Sequence, residues 1–311
     1  MKVLVTGAAG FIGFHVAKLL LEKGFEVVAL DNLSRGSASR VKALEEMGAS
    51  FVEGDVRDLD LLLDVTKGVN AVAHLAALIS VEESFEKPLE YVSVNVEGTV
   101  AVLEAGVRRG VKKFVLASSA AVYGDPQYLP IDEAHPLRPK SPYGASKVAA
   151  EAFAEAYSRS YGIEAIALRI FNVYGPGQNP EYAGVISRFV ERAVKGLPPV
   201  IFGDGGQTRD FVHVEDVAEV FYRALTTSAP SKFLAVNVAS GSPTSINELA
   251  RLVVEEAGLE LKPVHAPSRP GDIYHSYADV SRVKELFGWS PRRGLREGLK
   301  ELLNRQRALS E

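Results

Sequence analysis

Short apolar runs and longer amphipathic stretches alternate along the first half of the chain. The apolar runs are rich in Val, Ile, Leu and Ala, which is typical of parallel strands buried on both faces. They predict strands at Lys2–Thr6, Glu26–Leu30, Ser50–Glu53, Ala71–His74, Lys113–Ala117 and Glu164–Arg169. The stretches between them have helical periodicity and predict helices at 11–23, 37–47, 58–67, 89–110 and 142–161. This alternation predicts an α/β fold built on a doubly wound parallel sheet of the Rossmann type.

The alternation becomes irregular after Arg169. Gly and Pro are concentrated in residues 175–206, and helical patterns follow at 214–226, 244–257, 279–287 and 294–308. We therefore expect a Rossmann domain at 1–172 and, at 173–311, a smaller α+β lobe that binds the substrate in the cleft between the two. The chain is free to cross back to the first domain within the second range.

A glycine-rich turn follows the first predicted strand. Gly7, Gly10 and Gly13 are spaced three residues apart, and a helical pattern begins directly after them. Such glycines let the backbone turn tightly and approach a pyrophosphate, which then lies at the N-terminus of the helix. Asp31 ends the second apolar run, about twenty residues further on. A carboxylate there suits the two ribose hydroxyls of NAD and repels the 2′-phosphate of NADP, so the sequence predicts NAD as the cofactor.

Composition and charge argue against several kinds of partner and site. The net charge of −4 gives no electrostatic reason to expect nucleic acid or an anionic membrane as a partner. No apolar run reaches transmembrane length, and a cytoplasmic location is expected. The 311 residues include no cysteine, so disulfides and thiolate metal sites are impossible, and we predict no metal site.

Tyr143 and Lys147 are four residues apart at the start of a predicted helix. Ser141 is a candidate N-cap and Pro142 a candidate first helical residue, so Tyr143 and Lys147 share one helix face. Lowering a tyrosine pKa from 10 to about 7 requires roughly 4 kcal/mol of preferential stabilisation of the phenolate. The Lys147 ammonium, the helix N-terminus and an oxidised nicotinamide could supply it together. Tyr143 could then act as a general base on a sugar or alcohol hydroxyl.

Motifs along nearly the whole chain resemble the extended short-chain dehydrogenase/reductase family that acts on nucleotide sugars, and within it the UDP-glucose 4-epimerases (UDP-galactose 4-epimerases). They stand at residues 6–13, 31–36, 54–56, 75–77, 95–99, 118–124, 141–147, 168–172, 208–213 and 269–272. The resemblance implies that Tyr143, Lys147 and Ser119 are catalytic, with Ser119 bonding the sugar hydroxyl that Tyr143 deprotonates.

The resemblance also implies two sets of binding residues. The NAD set has Asp55 and Val56 flanking the adenine and Leu75, Ala76 and Ala77 lining the pyrophosphate. Its other members are Gly7, Gly10, Phe11, Ile12, Gly13, Asp31, Asn32, Ser34, Arg35, Gly36, Asn95, Tyr143, Lys147 and Phe171. The UDP-hexose set has the UDP held by Asn172, Arg209 and Arg269, with Asp272 at the nucleotide ribose and Phe202 beside the uracil; it also contains Ser119, Tyr143, Val185 and Ser276.

The residues after Ser119 distinguish the reactions of this family. Dehydratases of the family place an Asp-Glu pair there, because elimination of water needs an acid and a base. Ala120 and Ala121 cannot exchange protons, which favours epimerisation at C4 through transient oxidation by tightly bound NAD. Alternatives are a 4-epimerase for UDP-glucuronate or an ADP-heptose, a net NAD-dependent nucleotide-sugar oxidoreductase, and an NAD-sensing regulator without catalytic activity. The intact Tyr143 and Lys147 argue against the regulator.

Three positions depart from the epimerase pattern. Ala121 replaces a Thr or Ser that would bond the sugar, and Ile79 replaces a Lys near the pyrophosphate. Ser276 stands where galactose-restricted members have a bulky aromatic residue, which would leave room for N-acetylhexosamines. Finally, the predicted helices 89–110 and 142–161 carry apolar residues on more than one face, which predicts a homodimer formed through them.

Overall fold

A computed structural model describes residues 1–178, 184–268 and 273–309. Strands and helices alternate through the first half. The strands are β1 (Lys2–Thr6), β2 (Glu26–Asp31), β3 (Ser50–Glu53), β4 (Ala71–His74), β5 (Lys113–Ser119), β6 (Glu164–Ile170) and β7 (Asn172–Tyr174). The helices are α1 (Phe11–Glu22), α2 (Ala38–Glu46), α3 (Leu59–Val65), α4 (Val81–Glu86), α5 (Pro88–Val92), α6 (Gly98–Arg108) and α7 (Pro142–Tyr161). A π-helical turn (Ser93–Glu97) joins α5 to α6, and a 3₁₀ turn (Ala120–Val122) follows β5.

Shorter elements make up the second half. Its strands are β8 (Val200–Phe202), β9 (Thr208–His213), β10 (Phe233–Val238), β11 (Pro243–Ser245), β12 (Val264–Ala266) and β13 (His275–Ser276). Its helices are α8 (Val185–Val194), α9 (Val214–Thr226), α10 (Ile246–Glu256), α11 (Ser281–Phe287) and α12 (Leu295–Ala308). None of the helices in the described ranges combines the length and apolar character needed to cross a membrane.

The central sheet is parallel and has the strand order β10-β6-β5-β4-β1-β2-β3. The chain runs outward from β1 to β3 on one side and from β4 to β10 on the other. The order therefore reverses between β1 and β4, and ligands of such sheets bind beyond the carboxyl ends of the strands at this point. The predicted doubly wound α/β fold is confirmed.

Apolar side chains cover both faces of the central sheet. One face packs against α1, α9 and α11, and the other packs against α3, α6 and α7. A separate core joins α8, α10 and α12 around Ile201 and Phe211. Strand β10 and helix α9 come from the range 173–311. Strand β10 forms one edge of the central sheet and α9 packs on the same face as α1, so the chain does return to the central sheet. The boundary at 172/173 between an NAD-binding domain and a substrate-binding lobe stays a prediction.

The sequence predicted the strands of the sheet up to β6 and missed β10. Helix α7 has the predicted bounds: the Ser141 hydroxyl caps it by accepting from the Gly144 nitrogen at 3.1 Å, and Gly162 ends it at φ +75°. The predicted helix 89–110 is a continuous run of α5, the π-helical turn and α6. Periodicity misses such a turn because one inserted residue barely disturbs the apolar face.

Candidate active site

The glycine-rich turn joins β1 to α1 and lies against the segment that follows β4. Gly7 has φ +69°, and a Cβ there would lie 2.7 Å from the Ala76 nitrogen. A Cβ on Gly13 would lie 2.0 Å from the Gly7 carbonyl oxygen. Helix α1 begins with Phe11 and Ile12, and its N-cap, Gly10, has no side chain to satisfy the first N–H groups. A pyrophosphate binds such N–H groups, so this turn fits a dinucleotide.

Asp31 lies at the end of β2, as predicted, and faces the same turn. Its carboxylate accepts hydrogen bonds from the nitrogens of Ala9 at 3.0 Å and Leu33 at 2.9 Å. Burial raises the pKa of Asp31, and those hydrogen bonds oppose the shift. A Cβ on Gly36 would lie 2.7 Å from Asp31 Oδ1, so only glycine lets the segment after β2 pass this carboxylate without a shift. The arrangement fits the ribose of NAD.

The predicted adenine-side residues lie beyond the ends of β2 and β3. Asn32 donates to Asp55 at 3.1 Å and accepts from Ser34 Oγ at 2.7 Å. Arg57 donates twice to the Asp55 carboxylate, at 2.7 and 2.8 Å, and these bonds lower the pKa of Asp55 to about 2. Val56 is buried, within the apolar core beneath α3 and α6. The structure thus brings these predicted residues together around an anionic group.

A buried histidine supports the segment that follows β4. His74 bonds Thr6 Oγ1 at 2.7 Å and Thr99 Oγ1 at 3.0 Å, and Thr6 Oγ1 accepts from the nitrogens of Leu75 and Ala76 at 3.2 Å. Burial lowers the pKa of His74 to about 3, so the ring is neutral. Because Thr99 donates to the Asn95 carbonyl, His74 Nε2 is the donor to Thr99 and Nδ1 accepts from Thr6. This role of His74 was not predicted from the sequence, since a lone histidine at a strand end carries no distinguishing signal.

Asn95 lies in the π-helical turn and is fully engaged with the protein. Its Oδ1 accepts from the Leu78 nitrogen at 2.8 Å, and its Nδ2 donates to the Leu78 carbonyl and to Ser146 Oγ, both at 2.9 Å. These bonds connect the segment after β4 to the first turn of α7. The side chain of Asn95 thus supports both segments, and its predicted contact with NAD stays a prediction. Ala77 belongs to the segment it holds, while Phe171 is buried just after β6.

Ser119, Tyr143 and Lys147 meet where β5 ends and α7 begins. The Ser119 hydroxyl accepts from the Ala121 nitrogen at 3.2 Å and lies close enough to the Tyr143 hydroxyl to lower its pKa. Lys147 Nζ donates to the Ala117 carbonyl at 2.9 Å and lies 6.0 Å from the centroid of the Tyr143 ring. The predicted catalytic residues are therefore brought together, beside the end of the strand next to β4.

Burial dominates the pKa values of Tyr143 and Lys147 in the chain without its cofactor. Burial raises the pKa of Tyr143, and the Ser119 hydrogen bond lowers it by less. Burial lowers the pKa of Lys147 to about 8, and the carboxylate of Glu151 opposes that shift. Desolvation therefore outweighs the local charges, because both side chains lie in the interior.

A second buried cluster, also missed from the sequence, lies behind Lys147. Arg169 donates to Glu151 at 2.8 Å and to Tyr123 Oη at 3.1 Å, and Ser118 donates to Glu151 as well. The side chains of Arg169 and Glu151 are 6% and 4% exposed, so the pair is almost fully desolvated. Glu151 lies four residues after Lys147, and that helical spacing from a catalytic residue was the available signal.

Two of the predicted UDP-binding residues line one pocket. Asn172 and Val185 lie around a cavity of about 220 Å³, together with Tyr174, Gln178, Ile186 and Phe211. Asn172 Nδ2 also donates to the Asp210 carbonyl at 3.2 Å, which fixes the start of β7 against β9.

The other predicted substrate residues lie on the neighbouring short strands. Ser276 in β13 is the register partner of Arg209 in β9, so the structure brings these two together. Arg209 Nη1 donates to the Thr208 carbonyl at 2.8 Å. Phe202 ends β8, in the sheet it forms with β12. Arg269 and Asp272 lie outside the described residues.

Comparisons with known proteins place this site in a family. The model of the NAD dependent epimerase/dehydratase family matches residues 3–239. The chain belongs to the NAD dependent epimerase/dehydratase family. A UDP-glucose 4-epimerase of Mycolicibacterium smegmatis is 41% identical over 304 residues, which cover 96% of each chain. A UDP-glucuronate 4-epimerase of Thermodesulfobacterium geofontis is 35% identical over 97% of this chain and 94% of its own.

Solved structures of the epimerase/dehydratase family agree with this fold over its whole length. The UDP-glucose 4-epimerase of Thermotoga maritima with UDP-glucose has a TM-score of 0.94 and 36% identity, with full coverage of both chains. That of Thermus thermophilus in complex with NAD has a TM-score of 0.89 and 39% identity over 99% of both. A UDP-N-acetylglucosamine 4-epimerase of Methanobrevibacter ruminantium has a TM-score of 0.93 and 34% identity over 99% and 98%. The predicted family and the dependence on NAD are confirmed.

Proposed function

We propose that this chain interconverts UDP-galactose and UDP-glucose by transient oxidation at C4 with tightly bound NAD. Ser119, Tyr143 and Lys147 are grouped where β5 ends and α7 begins, beside a cradle that fits NAD. Similar enzymes with named substrates are predominantly UDP-glucose 4-epimerases.

The observation that carries the choice of reaction is the apolar turn after Ser119. Ala120 and Ala121 form the 3₁₀ turn, and Ala121 packs with the apolar cluster of Leu78, Tyr91 and Tyr143. A methyl group therefore stands beside the catalytic tyrosine where elimination would require a proton donor. Tyr143 and Ser119 can remove and return the proton of a hydroxyl, which supports oxidation and reduction without loss of water.

Each catalytic side chain has a separate task in this proposal. Bound NAD supplies the acceptor for the hydride that leaves C4 and later gives that hydride back to C4. Tyr143 takes the C4 hydroxyl proton, Ser119 orients that hydroxyl, and the Lys147 ammonium stabilises the phenolate. The 4-keto sugar then rotates to present its other face while Asn172, Arg209 and their neighbours hold the UDP. Tyr143 returns the proton on that face.

The small side chain of Ser276 supports a wider range of sugars within the same reaction. Ser276 is small and partly buried, and it pairs with Arg209 on the substrate side of β9. The N-acetylhexosamine pair is thus the second substrate pair that we propose. The UDP-glucuronate pair is the main alternative, because an enzyme of that kind is also similar in sequence.

The first experiment is incubation of the purified protein, without added NAD, with UDP-galactose, UDP-N-acetylgalactosamine or UDP-glucuronate, followed by chromatography of the products. We expect conversion of the first two. Conversion of UDP-glucuronate alone would overturn the proposed substrate, and accumulation of NADH in step with product would indicate a net oxidoreductase. Absence of any conversion, even with NAD, would overturn the epimerase proposal.

We also propose a homodimer that forms through α7 and the helical run from α5 to α6. Their outer face exposes apolar side chains: Leu89 is 82% exposed, Val92 47% and Phe153 41%. A patch of this kind is unusual on a monomer, and a second copy offers the same apolar surface.

A cytoplasmic location belongs to the same proposal, since UDP-sugars and NAD are cytoplasmic metabolites.

Light scattering during size-exclusion chromatography tests the dimer. We expect the mass of two chains, and the mass of one chain for Phe153→Glu. The matched control is Leu197→Glu, because Leu197 is 44% exposed and lies after α8, away from this face. A monomeric parent protein would contradict the proposal, as would equal dissociation by the two variants.

A further inference from the structure

Two segments rise from the carboxyl edge of the sheet on either side of the glycine-rich turn. Residues 32–37 follow β2, and residues 75–80 follow β4 and lead into α4. Both β2 and β4 are hydrogen-bonded to β1, so the two segments flank the turn between β1 and α1. A dinucleotide bound at this edge runs between them.

One ion pair connects the segment after β2 to helix α4, into which the second segment leads. The Arg35 guanidinium, in the segment after β2, donates a hydrogen bond to the carboxylate of Glu83 in α4. The two side chains are only 22% and 18% exposed, so the pair is more shielded from water than an ordinary surface ion pair. The hydrogen bond from Arg35 is the main reason why the pKa of Glu83 is lowered, and Glu83 is therefore charged at neutral pH.

The Glu83 end of this pair is firmly held. Its carboxylate also accepts from Tyr91 Oη at 3.1 Å and from Lys87 Nζ at 3.2 Å. Its backbone nitrogen donates to the Ser80 hydroxyl, which caps α4, at 3.1 Å. Tyr91 in turn packs edge-on against the ring of Tyr143 at 6.4 Å. The carboxylate is therefore anchored to the same body as the catalytic tyrosine.

We propose that the Arg35–Glu83 bridge closes over the bound dinucleotide and slows the release of NAD. The glycine-rich turn bounds the dinucleotide on one side and the bridge spans the other, so that the cofactor leaves only when the bridge opens. A catalyst that returns its hydride to the same substrate has to keep NAD from one turnover to the next. This inference rests on NAD binding at the turn and does not depend on which sugar is epimerised.

Release of NAD can be measured without any sugar nucleotide. The protein loaded with NAD is mixed with an excess of the fluorescent analogue 1,N6-etheno-NAD, and the exchange rate is followed by fluorescence. We expect Arg35→Gln and Glu83→Gln each to accelerate exchange by about 10- to 100-fold, because charge-assisted hydrogen bonds act mainly on dissociation rates. The double variant should exchange no faster than either single variant, since both remove the same bridge. The charge-swapped pair Arg35→Glu/Glu83→Arg should restore slow exchange in part.

The two single variants separate the bridge from a direct contact. If Arg35 acted on NAD alone, Arg35→Gln would accelerate exchange and Glu83→Gln would not, and the proposal would be overturned. Tyr91→Phe removes another bond to Glu83 and leaves the bridge, so we expect it to exchange like the parent protein. Arg251→Gln is the matched control, because Arg251 pairs with Glu255 on α10, away from the central sheet. Failure to bind NAD at all would instead refute the cofactor assignment itself.

Discussion

We predict that the buried charge of Lys147, which its proposed catalytic role requires, lowers the stability of the fold. Its side chain is buried in α7, and its ammonium donates to the Ala117 carbonyl at 2.9 Å. Burial lowers the pKa of Lys147 from 10.5 to about 8, in spite of the opposing charge of Glu151. At neutral pH the Lys147 ammonium is therefore charged in the folded protein, although water would solvate that charge better in the unfolded chain. Lys147→Met keeps the length of the side chain and removes that charge.

The pKa shift sets the size of the expected effect. The lowering of the Lys147 pKa from 10.5 to about 8 corresponds to about 3 kcal/mol, of which the lost hydrogen bond offsets about 1 kcal/mol. We expect Lys147→Met to raise the free energy of unfolding at pH 7 by about 2 kcal/mol and to abolish epimerisation. Between the folded pKa, about 8, and the unfolded value, 10.5, the unfolded parent chain binds more protons than the folded one. Parent stability therefore rises with pH in that window, and the advantage of the variant disappears.

Urea unfolding at pH 7 and pH 10 measures this difference. Both proteins are freed of NAD, and unfolding is followed by the fluorescence of Trp289, the one tryptophan of the chain, which is 2% exposed. A variant that is less stable than the parent at pH 7 would refute the reasoning. So would a stability difference that is the same at both pH values, because the effect would then not come from the charge.

Three further substitutions test the site and its support. Tyr143→Phe should lower kcat by about 10³-fold while UDP-hexose still binds, as judged by calorimetry, and a loss below tenfold would remove Tyr143 from proton transfer. Gly13→Ala places a methyl group 2.0 Å from the Gly7 carbonyl and should yield protein without NAD, so a normal NAD content after purification would contradict this packing. Arg169→Met should cost about 3–5 kcal/mol in urea unfolding, because it leaves Glu151 charged and buried, and Arg169→Met/Glu151→Met should recover most of it. A double variant as unstable as the single one would refute that cause.

The sequence was sufficient to predict the features that local signals determine. Strand β1, the glycine-rich turn and α1 follow from one apolar run and its glycines, and the start of α7 follows from Ser141 and Pro142. Strand β10 was not predicted, since its place beside β6 depends on pairing with a segment more than sixty residues away in the chain. Periodicity describes a segment and carries no information on its distant neighbour.

The electrostatics of the site were harder to predict than its members. Spacing was enough to place Tyr143 and Lys147 on one helix face, and the family resemblance added Ser119. The pKa of each group depends on burial, which is a property of the tertiary structure. The joint stabilisation of the phenolate by Lys147, the helix N-terminus and an oxidised nicotinamide stays a prediction: in the chain alone Lys147 Nζ contacts the Ala117 carbonyl, and burial raises the pKa of Tyr143.

The end of β5 explains how the fold holds these groups in place. Its last three residues each contact α7: Ala117 accepts from Lys147, Ser118 donates to Glu151, and Ser119 lies beside Tyr143, whose pKa it lowers. Positions 143, 147 and 151 lie on one face of the helix, so a shift of α7 along the strand would break all three contacts at once. Ser118 is also the register partner of Arg169 in β6, and Arg169 bonds Glu151. The buried ion pair therefore fixes the register of α7, and the catalytic tyrosine and lysine take their positions from it.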